Sequence, residues 1–421
     1  MAAQPKLLQQ TILDGGIRAV NFFNGRLLTG EDLSREQTAR READRRLGIA
    51  LGDGIAWGLE VQVAKDQTLG TAVTISAGLA INRRGQTLHL PNALDVLLSD
   101  RSAPKVATTS SFCDCSLKGG VVAALPGIYL LTLAPDEANE GHAPSQSLDE
   151  GTVRCNSDAL VEAVQIRMLP LTVELDAAAR SDSERMRNAV AWQCFGLDSM
   201  ANFLLDPLRM PSSLPEPLET LAGTAYSPCD VPLAVVRITT RIEFIDLWSV
   251  RRRVTPRGCS GALAYPVEER RHAEGEAMSL QFQQQLATMT AASGDVRGLV
   301  ARDKFVQLPA AGLVPMPGDP AGDATAIATF FAGCTLRGPA FIEGSHLEPL
   351  LRASYSYPPI SPNSGELIWL YWVRENRQAI DLGRVPTPRA CLVFSSGHMP
   401  YQADARLDVA KWDYANTAID C

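Results

Sequence analysis

Residues 29–51 constrain the fold more than any other stretch: TGEDLSREQTARREADRRLGIAL has helix signals throughout and little apolar surface to bury. Thr29 suits an N-cap, and Asp32 three residues later comes close to a capping box. Glu31 and Asp32 put acid at the positive end of the helix dipole. Glu31–Arg35, Glu36–Arg40 and Glu42–Arg46 stand at i,i+4 in the favourable order, and Gly52 and Gly54 read as stops. The apolar positions are Leu33, Ala39, Ala43, Leu47 and Leu51, a narrow stripe that predicts a thin buried seam. Two readings follow. One is a solvated helix laced with surface ion pairs, each contributing about 0–1 kcal/mol. The other is a helix packed on another protein or on a second copy of itself, for which arginine's planar fork is suited.

The flanks belong to the same unit. Asn24-Gly25 predicts a tight turn with Gly25 at positive φ. Phe22 and Phe23 precede the cap; Phe23, Leu27 and Leu28 read as a staple, and with Trp57 and Leu59 they are expected to form local core. Acids interleave the arginines, and the net charge is −8, so nucleic acid is not an expected partner.

At 421 residues the chain exceeds one ordinary core. With 27 prolines and 32 glycines it reads as loop-rich and β-rich. Met1–Gln10 has no charged-then-apolar leader, and no apolar run approaches the ~18 residues of a membrane span. The expectation is synthesis in the cytoplasm without a signal peptide, and no membrane span. Nine cysteines, an odd number, do not make a compact disulfide framework, so mostly reduced thiols are expected.

The chain reads as α+β, β-dominated and multidomain. Residues 1–57 form an arm and the charged helix. Residues 58–267 form a β-rich central region, with strands over 127–133 and 159–175, a loop over 136–156, and a helix opened by a Ser181/Glu184 capping box. Residues 268–294 are a helical connector, and 295–421 a C-terminal β-sandwich-like domain.

Candidate chemistry is sparse, and no catalytic residue, cofactor or metal site is assigned. Cys113-Asp114-Cys115 lacks the paired spacing of a structural zinc site. His89, His142, His272, His346 and His398 show no paired-ligand spacing. Gly258-Cys259-Ser260-Gly261 is not a nucleophile elbow, and Ser395-Ser396-Gly397-His398 is contiguous rather than a constellation assembled through space. Glu243 and Asp246, three apart in a strand, fall on opposite faces rather than across a sugar bond. Trp369, Tyr371 and Trp372 form an aromatic cluster that could bind a glycan or line a core.

The run FFNGRLLTGEDLSREQ, with GIAWGLEV downstream, resembles a family of structural proteins of contractile phage tails and phage-tail-like extracellular injection systems. Phe23, Asn24, Gly25, Arg26, Leu28, Thr29, Asp32, Leu33, Glu36 and Gln37 carry the opening; Gly54, Gly58, Leu59 and Val61 carry the close. Weaker likenesses lie at Pro232–Arg252, around Tyr357–Ile360 and at Gly397–Asn416. The resemblance implies a baseplate or tail-fibre component whose partners are other structural subunits, not an enzyme. On this reading Phe23, Asn24, Gly25, Arg26, Asp32, Leu33, Glu36, Arg40, Arg41, Arg45 and Arg46 are the expected interface, with self-association a further mode. A carbohydrate-binding adhesin, and after it a hydrolase, are the alternatives.

Overall fold

The computed structural model describes residues 16–65, 71–98, 125–141, 143–145, 154–156, 158–196, 217–256, 264–291, 293–316, 324–374 and 391–400. Readings made on Met1–Gly15, Cys113, Cys115, His142, Gly258–Gly261 and residues 401–416 lie outside them. The architecture is α+β: an N-terminal helix followed by β-rich regions.

Helix α1 (Gly30–Leu51) starts at Thr29, where both arms of the capping box form, and ends at Gly52. Strands β1 (Gly54–Gly58), β4 (Gly78–Ile81) and β5 (Thr87–Leu90) make one three-stranded antiparallel sheet; β2 (Val61–Val63), β3 (Ala72–Ile75) and β6 (Leu94–Leu97) make another. A four-stranded sheet follows, in the order β10-β7-β11-β12, from β7 (Gly127–Glu140), β10 (Ala159–Pro170), β11 (Val231–Ile238) and β12 (Ile242–Asp246). Between β7 and β10 lies the small pair β8 (Ala143–Ser145) and β9 (Arg154–Asn156).

Both faces of this sheet are covered, which explains why β7 and β11 read as continuous apolar runs. Tyr129, Leu131, Leu133, Leu233 and Val236 pack with Ile55, Leu59, Val73, Ile75 and Leu88 of the small sheets. On the other face, Ile128, Leu130, Val235 and Phe244 meet Met186, Val190 and Leu218. Those residues come from α3 (Ser183–Phe195) and α4 (Pro217–Ala222).

Two sequence expectations change here. The cap of α3 is Asp182, which accepts from Glu184 N and Arg185 N; Ser181 instead closes the short α2 (Ala177–Ser181), capped by Asp176. Either residue type is a good cap, and the preceding helix claims Ser181. The loop expected from residue 136 also starts late, because β7 continues through Glu140 in unbroken register with β10. Exposed ribbon strands can be polar on both faces, so that stretch carries no alternation to read.

Helix α5 (Ala264–Met289) joins the central sheet to the C-terminal region. There α6 (Ala301–Lys304), β13 (Ala311–Pro315), α7 (Ala324–Phe330), β14 (Thr335–Glu343), α8 (Leu347–Ser354), β15 (Leu367–Arg374) and β16 (Cys391–Ser396) follow. Their four strands form one mixed sheet, β13-β16-β15-β14, with β14 and β15 parallel. The sandwich-like expectation is therefore corrected. Among the described residues there is one sheet here, and helices cover its faces: Phe282 of α5 with Ile327 and Phe330 of α7 on one, Leu350 of α8 on the other. Trp369 and Tyr371 point to the α8 face and Trp372 to the opposite one, so the aromatic cluster is core on two sides.

Asp246, at the end of β12, joins these regions. It is fully buried and accepts from Arg187 Nε of α3 at 2.7 Å and from Gln281 Nε2 of α5 at 2.9 Å. Ser249 N donates to its other oxygen at 2.9 Å. Gln281 passes the chain on to Gln285, which donates to the Glu184 carbonyl. Beside it Asn188 Oδ1 accepts from Val306 N and Gln307 N. Expected reduced thiols hold only in part: Cys194 and Cys334 are free, while Cys229 is disulfide-bonded.

Removing one partner of a buried ion pair leaves the other charge without compensation. Asp246→Ala is expected to destabilise the chain by roughly 3–5 kcal/mol in denaturant unfolding; a loss within about 0.5 kcal/mol, the range of ordinary surface substitutions, would contradict the assignment.

Candidate assembly site

Residues 20–36 fold into a hook held by its own polar groups. The Phe23–Arg26 turn closes through Arg26 N donating to the Phe23 carbonyl, with Gly25 at φ +90 in open space. Arg26 reaches back across the turn. Its Nη1 donates to the Asn21 carbonyl at 2.8 Å, and Nη2 to Asp32 Oδ1 at 2.6 Å. Asp32 also accepts from Thr29 N and Thr29 Oγ1, and its own N–H returns to Thr29 Oγ1. Val20 N donates to Glu36 Oε2 at 3.0 Å, tying the incoming chain to the helix.

With its polar groups turned inward, the hook leaves its apolar ones outside. Phe22 is 53 % exposed, Phe23 63 %, Leu27 89 % and Leu28 53 %, and Trp57 is exposed too. These residues were expected as local core; only Leu59 is. The seam on α1 is likewise corrected: of Leu33, Ala39, Ala43, Leu47 and Leu51, only Ala39 is buried. What the helix buries is Asp32 and Gly48, positions that polarity alone would not select.

The helix rests on the body through Gly48, Arg41 and Arg45. A Cβ at Gly48 would run into the Gly85 carbonyl, so the helix and the β4–β5 turn approach backbone to backbone. Arg45 Nε donates to the Arg84 carbonyl at 2.9 Å. Glu137 and Glu162 stand directly opposite in the β7–β10 ribbon, an unfavourable like-charge pair. Arg41 bridges both, at 3.9 and 3.1 Å. Arg40 is exposed, and Arg46 pairs with Glu42 at 3.2 Å.

Downstream, the close of the motif docks on the segment after β12. Ile55 N donates to the Arg252 carbonyl, Val254 N to the Ile55 carbonyl and Thr255 N to the Asp53 carbonyl. Any Cβ on Gly52 would collide with the Thr255 carbonyl, and one on Gly54 with the Arg253 carbonyl at 2.6 Å. Buried Arg251 donates to the carbonyls of Leu59, at 2.8 Å, and Gly58. That clamp holds Leu59 at φ +58, costly for a residue with a Cβ. Two stretches that carry the resemblance, Gly54–Val61 and Pro232–Arg252, thus form one junction.

The other candidate groups do not converge. Glu243 faces Arg237 at 3.4 Å, while Asp246 is committed to Arg187. His272 Nε2 lies 2.6 Å from Ser356 Oγ, and His89 is beside Trp57. A cleft of about 60 Å³, lined by Asp53, Asn82, Tyr226, Val250 and Arg252, has room for little more than water. Among the described residues no three His, Cys, Asp or Glu side chains are grouped to hold a metal ion, and no helix is long and apolar enough to cross a membrane. Neither a protein-family model nor a curated protein matches the chain.

Partial desolvation pushes the Asp32 carboxyl up, but the hydrogen bonds from Thr29 and the Arg26 guanidinium outweigh it and hold the pKa below the usual value. A depressed pKa in the fold means that the hook's stability is present above the unfolded value and lost as pH falls through the folded one. Protection factors of the Thr29, Asp32 and Leu33 amides, corrected for the intrinsic pH dependence of exchange, should hold at about pH 4 and fall only at lower pH. In Arg26→Ala the loss of protection should begin at higher pH; identical profiles would refute the clamp.

Proposed function

We propose that the chain is a structural subunit of a contractile phage-tail-like injection particle, baseplate-associated or fibre-docking, that acts by protein–protein assembly through its N-terminal hook and helix. One observation carries this. Arg26, Thr29, Asp32 and Glu36 are spent on bracing the hook, which presents Phe22, Phe23, Leu27, Leu28 and Leu33 to solvent. A preorganised loop with clustered exposed apolar side chains suits docking, because little ordering entropy remains to be lost on binding. The residue-level resemblance of this stretch to tail proteins supports the same reading.

Nothing comparable favours the alternatives. A glycan platform at Trp369, Tyr371 and Trp372 loses its support because these rings lie in two cores. A carboxylate pair at Glu243 and Asp246 loses it because each acid has its own arginine.

Replacing Phe22, Phe23 and Leu28 with Asp should leave the thermal unfolding of the full chain within a few degrees of wild type, since all three are exposed. The same variant should fail to copurify with sheath, tube and baseplate proteins when it replaces wild type in the producing cell. Normal incorporation of the folded variant would refute the hook as the docking element.

A further inference from the structure

Leu33, Gln37, Arg40, Asp44, Leu47 and Leu51 recur along α1 in alternating steps of four and three, the spacing that keeps side chains on one flank of a helix. All are exposed, Leu33 at 51 %, Leu47 at 65 % and Leu51 at 60 %. The helix uses other positions to hold the rest of the chain: Asp32 and Glu36 at the hook, Arg41, Arg45 and Gly48 at the body, with Ala39 buried between them in sequence. Among the described residues the flank has no packing partner in its own chain.

Its two central charges are unusual. Each other arginine of α1 is engaged: Arg35 with Glu31, Arg41 with Glu162, Arg45 with the Arg84 carbonyl and Arg46 with Glu42. Arg40 and Asp44 have no such partner among the described residues. They sit one turn apart, between leucines.

The order of the flank identifies the partner. Two such helices laid antiparallel and centred on Glu42 would place Leu33 against Leu51, Gln37 against Leu47 and Arg40 against Asp44, with each layer occurring twice. A parallel pair would set Arg40 on Arg40 and Asp44 on Asp44. The whole helix has the same polarity. Glu31, Asp32 and Glu36 outnumber Arg35 and Arg40 in its first half, and Arg41, Arg45 and Arg46 outnumber Glu42 and Asp44 in its second. Antiparallel packing brings the acidic half onto the basic half and opposes the two helix dipoles. A two-fold axis requires a self-complementary patch of this kind.

We propose that α1 pairs antiparallel with α1 of a second copy of this chain through that flank. The proposal rests on the reading of the N-terminal segment as an assembly surface and names one occupant of it. The central Arg40–Asp44 pairs set register and direction at some cost in affinity, as a buried polar position does in a coiled coil. Within a particle, neighbouring contacts would raise the effective concentration.

The test is sedimentation of the full-length chain over a concentration series, with thermal unfolding as a check on each variant. Wild type should dimerise. Arg40→Asp alone and Asp44→Arg alone should each weaken the dimer about tenfold or more, because each sets like charges in contact. The double variant R40D/D44R should restore it, since every pair is merely exchanged. A wild-type chain that stays monomeric throughout, or a double variant as weak as the single ones, overturns the pairing. A monomeric chain that still enters particles overturns the pairing but not the assembly reading. One that dimerises with the expected rescue yet never copurifies with tail proteins overturns the assembly reading and leaves the pairing standing.

Discussion

A buried carboxylate ties the central sheet of this protein to two helices packed beside it. Asp246 ends the edge strand of the central sheet and takes hydrogen bonds from Arg187 on the helix behind that sheet and from Gln281 on α5. On its other side α5 supplies Phe282 to the core of the C-terminal sheet, against Phe305 and Phe394. One helix thus carries a polar seam toward the central sheet and an apolar one toward the C-terminal sheet. Desolvating a charge is unfavourable unless its partners are complete. Arg187, Gln281 and Ser249 N complete them here, so the central sheet, α3 and α5 have one well-defined arrangement.

The N-terminal unit is attached by a different kind of constraint: close backbone contact that only glycine permits. Gly48 meets Gly85, Gly52 meets Thr255, and Gly54 meets Arg253. Arg251 then takes up the carbonyls of Gly58 and Leu59. This mode of attachment explains a helix that is firmly placed while burying so little apolar surface. Among the described residues it leaves the apolar side chains of the hook and one flank of α1 exposed.

Legibility in the sequence followed the range of the interactions. The Thr29 cap and the Asn24-Gly25 turn were readable because the residues that satisfy them lie within three or four positions. The core strands were readable because both faces are buried and their apolar runs are continuous. Gly52 and Gly54 were visible as helix stops, but their packing on residues 253–255 is non-local and left no local mark. The polar half of β7 was missed for the same reason: its pairing with β10 supplies what its composition lacks. Leu367–Val373 could be read as a strand but not as one covered by helices rather than by a second sheet, since alternation reports burial and not what does the burying. At the candidate site, polar Arg26, Asp32 and Glu36 brace the hook, and Phe22, Phe23, Leu27, Leu28 and Trp57, which read as local core, face outward because the packing that would cover them is not written in their neighbours.

The proposed function turns on these outward apolar side chains, which the hook's internal hydrogen bonds leave exposed. Hydroxyl-radical footprinting of the purified chain and of the proposed particle tests it directly, because side-chain oxidation reports solvent access. Phe22, Phe23 and Leu28 should oxidise readily in the isolated chain and be protected in the particle, while exposed Leu125, remote in sequence from the hook, serves as the internal reference. Equal oxidation of the hook residues in both samples would contradict the account and leave α1 a solvated helix.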